Sequence, residues 1–171
     1  MFRTATQPRE NYTQKLENLN FSFHQEYWNE EAYYEFTSEE IDQLEATTSE
    51  LYQRCIDAVD WIIQNKFYQP YNLTPTAISL IENSWIIDAP SLYGRFDLWY
   101  DGVHKPPKLF EFNAETPTAI YEAAVIQWFW LQDTFPNADQ FNSIHDKLLN
   151  AWQWFKNQGH TTIHFTAMPD Y

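Results

Sequence analysis

Apolar residues recur at three-, four- and seven-residue spacing from Ile41 through Leu44, Leu51, Cys55 and Val59 to Ile62, the stripe of one amphipathic helix. Thr37 and Glu40 stand just ahead of it in the order of a capping box, whose hydroxyl and carboxylate exchange hydrogen bonds with the free amides. The helix is therefore predicted from there to about Asn65. Thr74-Pro75 opens a second helix, "PTAISLIENSWII", because proline is tolerated in the first turn, and Ala89-Pro90 ends it. "SLYGRFDLWY" and "PKLFEFNA" alternate as strands around the turn "DGVHKPP". Thr116-Pro117 repeats the Thr-Pro start, and "PTAIYEAAVIQWFWLQDTF" reads as a mostly buried helix. Asn137 begins a further capping signature, "NADQ", with Phe141, Ile144, Leu148, Trp152 and Phe155 as its stripe and Gly159 after its end. "TTIHFTA" is a last strand.

The first thirty residues are polar, then aromatic, with no clean period, and read as an extended arm or short turns ahead of a region at 31–171. The expected fold class is α+β: helices around a small, mostly antiparallel sheet. Ending on a strand and "MPDY", without a closing element, suggests a domain truncated at its C-terminus.

Composition narrows the function classes. With 44% hydrophobic and 19% aromatic residues the chain can bury a core and is no disordered segment. Three glycines exclude a Gly-rich phosphate loop within these residues. The net charge of -14 disfavours nucleic acid and anionic membrane as partners and suits cations, polyamines and basic groups. Cys55 is alone, so there is neither a disulfide framework nor a cysteine zinc cluster. No apolar run reaches membrane-spanning length and the start has no apolar leader, so a cytoplasmic location is expected.

The two strands carry the candidate chemistry. Side chains alternate faces on a strand, so Tyr93, Arg95, Asp97 and Trp99 share one face, and Leu109, Glu111 and Asn113 share one face of the second strand. A hairpin centred near His104 sets Asp97 opposite Glu111, Arg95 opposite Asn113, Phe96 opposite Phe112 and Leu98 opposite Phe110. Directly opposed carboxylates repel and need an offsetting charge. Arg95 is one candidate for that charge, and a hard divalent cation is another. Magnesium takes a few oxygen ligands from carboxylates and substrate phosphates and keeps several waters. Asp97, Glu111 and the Asn113 carbonyl are such a set, with Arg95 placed to hold a phosphate or a transferred phosphoryl group. A plain salt-bridge cluster on a solvated sheet face remains open on spacing alone.

The strings "SLYGRFDLWYDG…PKLFEFNAETPTAIYEAAVIQWFWLQD…DQFNSIHDKL" and "YWNEEAYYEFTSEEIDQLEATTSELYQRCIDAV" resemble the glutathionylspermidine synthase family, particularly its synthetase-only bacterial members, over nearly the whole chain from Phe21. The resemblance implies the N-terminal, pre-ATP-grasp portion of an ATP-grasp ligase. In that chemistry ATP phosphorylates a carboxylate, such as that of glutathione, and an amine such as spermidine attacks the acyl phosphate. By motif, Arg95 would contact the nucleotide phosphates and stabilise the transition state, and Asp97, Glu111 and Asn113 would hold two magnesium ions. Thr116 and Thr118 match small hydroxyl residues that touch the thiol-peptide substrate, and Glu115 stands where relatives usually have Asp. Family members are more than twice this length. The resemblance therefore puts the ATP-binding lysines, a glycine-containing loop and an acidic substrate contact beyond Tyr171, and residues 1–171 alone are expected to be inactive.

Other features carry less. His164 reads as a packed or exposed strand residue, His104 as solvated, and His24, His145 and His160 are too dispersed for a metal motif. Cys55, on an apolar stripe, reads as inert. "WQWF" and "QWFWLQD" suit core packing better than base stacking. A two-metal phosphodiesterase on Asp97 and Glu111 lacks the further His and Asp ligands of such sites. An acidic, aromatic binding module or pseudo-enzyme without ligase activity stands as the non-enzyme alternative.

Overall fold

The expected capping box is present: the Glu40 amide donates to Thr37 Oγ1 (3.2 Å), and the Thr37 amide donates to Glu40 Oε2 (2.9 Å). Its helix runs over Ser38–Gln64 with Asn65 as C-cap. In this computed structural model, which describes residues 1–21, 27–115 and 117–164, the elements in chain order are β1 (Phe2–Ala5), α1 (Tyr12–Asn18), β2 (Ala32–Glu35), α2 (Ser38–Gln64), α3 (Pro75–Ile86), β3 (Arg95–Trp99), β4 (Lys108–Asn113), a π-helical turn (Glu122–Ile126), α4 (Gln127–Thr134) and α5 (Ile144–Asn157). The class is α+β, with two antiparallel two-stranded sheets. The chain divides into two compact units, Met1–Gln7 with Glu30–Pro117, and Pro8–Asn29 with Thr118–Tyr171.

In the first unit β1 pairs with β2, Thr4 opposite Tyr33, and the Thr4 hydroxyl donates to Glu35 Oε1 (2.6 Å). The start of the expected arm is thus a sheet strand. Buried Glu40 serves twice, capping α2 and pairing with the Met1 α-ammonium. That ammonium first, and the Thr37 amide next, hold its carboxyl below the usual range. Helix α2 reaches the β3–β4 pair through Gln43, whose Nε2 donates to the Val103 carbonyl (3.2 Å), and through Tyr52, which meets Phe112 edge-on at 6.1 Å. Thr74 caps α3 through the Ala77 amide, as its Thr-Pro pair predicts. Helices α2 and α3 are then clamped by polar contacts. Trp85 Nε1 donates to Asp60 (3.0 Å), while Lys66 Nζ and the Tyr68 hydroxyl both reach Glu82 Oε1 at 2.7 Å.

In the second unit Leu16, Phe21 and Ile126 are fully buried, with Tyr12, Leu19 and Trp28 packed around them. Asp133 accepts from Lys15 (2.7 Å) and Arg9 (3.0 Å). Three expectations for this stretch need correction. The third helix does not start at Thr116-Pro117: Ala119 sits at φ 69, a left-handed conformation that cannot belong to a right-handed helix, and helical geometry begins at Ile120. Nor does "NADQ" open a helix. The Ala138 amide turns back to the Phe135 carbonyl, and the first amide of α5, at Ile144, finds Asn142 Oδ1 instead. Residues 161–164 form no strand, and the rest of "TTIHFTA" lies outside the described residues. The Trp-rich helix is also only partly covered, with Trp128 and Phe129 exposed, as is Ile163.

Burial first, then the Glu82 contact, push the Tyr68 hydroxyl up to about 12. Because the folded value lies above the ordinary one near 10, this stabilisation is complete below pH 10 and lost as the phenol ionises on the way to pH 12. Urea midpoints of the wild-type chain should fall across that alkaline window, and those of Tyr68→Phe should fall less. Thr37→Ala should cost about 1 kcal/mol in the same measurement, the usual loss for an N-cap.

Candidate functional site

The β3–β4 register brings the four strand residues together as the alternation predicts, with Arg95 opposite Asn113, Phe96 opposite Phe112, and Asp97 opposite Glu111. Beyond Asp97 the register shifts by one residue, so that Leu98 lies opposite Leu109 and Trp99 opposite Lys108. The expected pairing of Leu98 with Phe110 is therefore wrong. Phe110 is the extra residue of a β-bulge and is 71% exposed.

The aromatic face pins this register. Phe96 and Phe112 stack at 4.1 Å with 17° between their planes, and Tyr52 of α2 closes the edge. Gly94 lies directly under Phe112: a Cβ there would come within 2.6 Å of Phe112 Cε2 and 2.9 Å of Cζ. On the other face Arg95 folds along its own strand, with Nε donating to Asp97 Oδ1 (2.9 Å) and Nη2 to Asp97 Oδ2 (3.4 Å). Asn113 Nδ2 donates to Glu111 Oε1 (2.9 Å). The arginine, and secondarily the Glu111 hydrogen bond, hold the Asp97 carboxyl below its usual range, while Asp97 raises the Arg95 value. The Asp97 carboxylate is thus held anionic with a cation lying along it, and both carboxylates are at least partly open to solvent.

A model of the glutathionylspermidine synthase pre-ATP-grasp family matches residues 3–171. The chain belongs to that family. It is also 41% identical to a protein of Haemophilus influenzae named "Putative acid--amine ligase", over 98% of this chain and 44% of that protein, so it spans less than half the length of this relative.

Among the described residues of this pre-ATP-grasp chain no three His, Cys, Asp or Glu side chains gather closely enough to hold a metal ion. The hairpin offers two carboxylates and one amide carbonyl, all hard oxygen donors on one face. That set does not suit zinc or calcium, which ask for more protein ligands. It fits magnesium shared with substrate phosphates. Of the remaining expected site residues, Thr118 is exposed at the start of the second unit, and Thr116 lies outside the described residues. No helix among the described residues is long and apolar enough to cross a membrane. Sequence reasoning missed the bulge and the neighbours it creates. The Trp99 ring has the Lys108 ammonium 5.0 Å and the Lys105 ammonium 5.6 Å from its centroid. Phe110 and Phe112 stand two residues apart, as strict alternation expects, so the sequence carries no signal of the bulge.

Gly94→Ala should force Phe112 off its stack and disturb the register that faces Asp97 with Glu111. A loss of about 1–3 kcal/mol in urea unfolding, the usual cost of overpacking, is expected. An unchanged midpoint would mean that the ring is free to move aside.

Proposed function

We propose that this chain is the magnesium- and phosphate-handling part of an ATP-dependent carboxylate–amine ligase of glutathionylspermidine synthase type. The observation that carries the reading is the hairpin register, Asp97 facing Glu111 and Arg95 facing Asn113, in a chain of this family. Asp97, Glu111 and Asn113 are the proposed ligands of two magnesium ions. Bound magnesium supplies positive charge against the nucleotide phosphates. Arg95, already aligned along Asp97, contacts the transferred phosphoryl group and stabilises its developing charge.

The proposed reaction is balanced in two transfers. A substrate carboxylate oxygen takes the γ-phosphoryl group of ATP, the bond to ADP breaks, and an acyl phosphate results. An amine nitrogen then attacks the acyl carbon, the C–N bond forms, phosphate leaves, and the amine loses a proton. Glutathione and spermidine, or a related thiol peptide and amine, are the proposed substrates, with Thr116 and Thr118 assigned to the thiol peptide. A cytoplasmic location suits both. Supporting the reading is the relative's name, which states an acid–amine ligation. The salt-bridge reading has its own support in the Arg95–Asp97 pair, and mutagenesis separates the two.

In the complete protein, supplied with a thiol peptide, an amine and ATP, phosphate release should require magnesium. Asp97→Asn should raise the magnesium concentration needed for half-maximal rate, and Glu111→Gln should raise it further if that carboxylate bridges two ions. Arg95→Ala should leave the magnesium requirement in place and lower the rate by roughly 10³–10⁵, as for other charges aimed at a transferred phosphoryl group. Residues 1–171 by themselves should turn over no ATP. Equal rates and equal magnesium dependence in all three variants, with only their melting temperatures changed, would leave a structural salt bridge and no metal site.

A further inference from the structure

The bulge changes which side chains share the carboxylate face. Without it, strict alternation from Glu111 would bring Leu109 to that face and send Lys108 to the aromatic side. With Phe110 as the extra residue, Leu109 joins Leu98 on the aromatic face, and Lys108 comes opposite Trp99. On β3, Arg95, Asp97 and Trp99 lie at every second position, so cross-strand partners put Lys108 on their side. The Lys108 ammonium over the Trp99 ring, 5.0 Å from its centroid, is independent evidence for that side. Along the face the order is cation, carboxylate pair, cation: Arg95 with Asn113, Asp97 with Glu111, Trp99 with Lys108.

The two lysines at Trp99 are not equivalent. Lys105 is ion-paired with Asp101. Lys108 has no ion-pair partner among the described residues, in a chain with 24 acidic and only ten basic side chains. It is exposed and steadied by a ring rather than by a carboxylate. Two residues along a strand, the step from Trp99 to Asp97, span roughly 6–7 Å, within the swing of a four-methylene side chain. Lys108 can therefore leave the ring and meet an anion seated over Asp97 and Glu111.

We propose that Lys108 is a substrate-contacting residue that binds an oxyanion brought to the Asp97–Glu111 pair, with Trp99 as the platform that holds it ready. This rests on the function proposed above and extends it to a residue on the side away from Arg95. The oxyanion is a nucleotide phosphate or the carboxylate of the acid substrate, and kinetics tell them apart. In the complete protein, Lys108→Gln should raise KM at least tenfold, the scale of one lost charge-assisted hydrogen bond. A rise for ATP at saturating acid identifies the phosphate, and a rise for the acid at saturating ATP identifies the carboxylate. The magnesium requirement should match the parent, Lys108→Arg should recover most of the loss, and Trp99→Leu should raise the same KM by a smaller factor. Unchanged KM values for both substrates in Lys108→Gln, beside an impaired Asp97→Asn, would overturn the Lys108 assignment alone. So would a lowered melting temperature with a parallel fall in kcat and no rise in either KM, which would make Lys108 part of the fold. An Asp97→Asn protein with the parent's magnesium dependence would instead overturn the underlying reading, and this assignment with it.

Discussion

Asp97 and Glu111 face each other across an antiparallel pair, and like charges so placed push the strands apart. The hairpin holds them there by force from the opposite side of the sheet. The Phe96–Phe112 stack, the edge contact from Tyr52 and the absent side chain at Gly94 form a unit that fits only this register. A one-residue slip would carry every side chain to the other face. The aromatic face therefore sets where the carboxylates sit, and the polar face inherits that geometry along with its electrostatic cost. Arg95 offsets part of the repulsion from within its own strand, hydrogen-bonding Asp97 directly and acting on Glu111 through its charge.

The bulge gives the same hairpin its second constraint. Ladder pairing resumes past Phe110 one residue out of step, which re-aims Lys108 and lets Trp99 meet it. Phe110 is left 71% exposed, an unusual place for a large apolar ring on a short strand. The hairpin tolerates that exposure while gaining a second cation beside the carboxylate pair. Helix α2 ties this arrangement to the rest of its unit through Gln43 at the Val103 carbonyl and Tyr52 at Phe112. Its own start is fixed by the capping box and buried Glu40. The α2 start and the hairpin are thereby parts of one polar and aromatic frame.

Features written in local chemistry were legible in the sequence. The capping box at Thr37 and Glu40, the Thr74-Pro75 start and the first half of the β3–β4 register follow from side-chain hydrogen bonding and strict alternation. What escaped was decided by exceptions to those rules. A bulge is one residue out of period, and nothing in "KLFEFN" announces it, because Phe110 and Phe112 themselves fit strict alternation. Thr116-Pro117 carries the same start signal as Thr74-Pro75, yet left-handed Ala119 delays the helix, and the π-turn at Glu122–Ile126 follows. At "NADQ" no helix starts: the N-cap of α5 is Ser143, six residues beyond Asn137, and the Ile144 amide donates to Asn142 Oδ1. The pairing of β1 with β2 spans some thirty residues, and aperiodic segments give no sign of such partners. The four residues Arg95, Asp97, Glu111 and Asn113 were legible as one face. Lys108 was not, because its side depends on the bulge.

The formal charge of -14 sharpens what the proposed chemistry must overcome. A nucleotide triphosphate and a substrate carboxylate are both anions, and a strongly acidic protein repels them at long range. Local cations have to reverse that field at the point of reaction. The hairpin places Arg95 and Lys108 on either side of the acid pair, so an incoming oxyanion meets positive charge at both ends and carboxylates only between them. In the proposed ligase the carboxylates would serve as a seat for divalent cations, which would turn the centre of the face from repelling to attracting. On this reading the acidity that disfavours nucleic acid is compatible with the proposed ATP chemistry at one place in the unit. It would also suit the proposed amine substrate, since a polyamine is drawn to a negative surface.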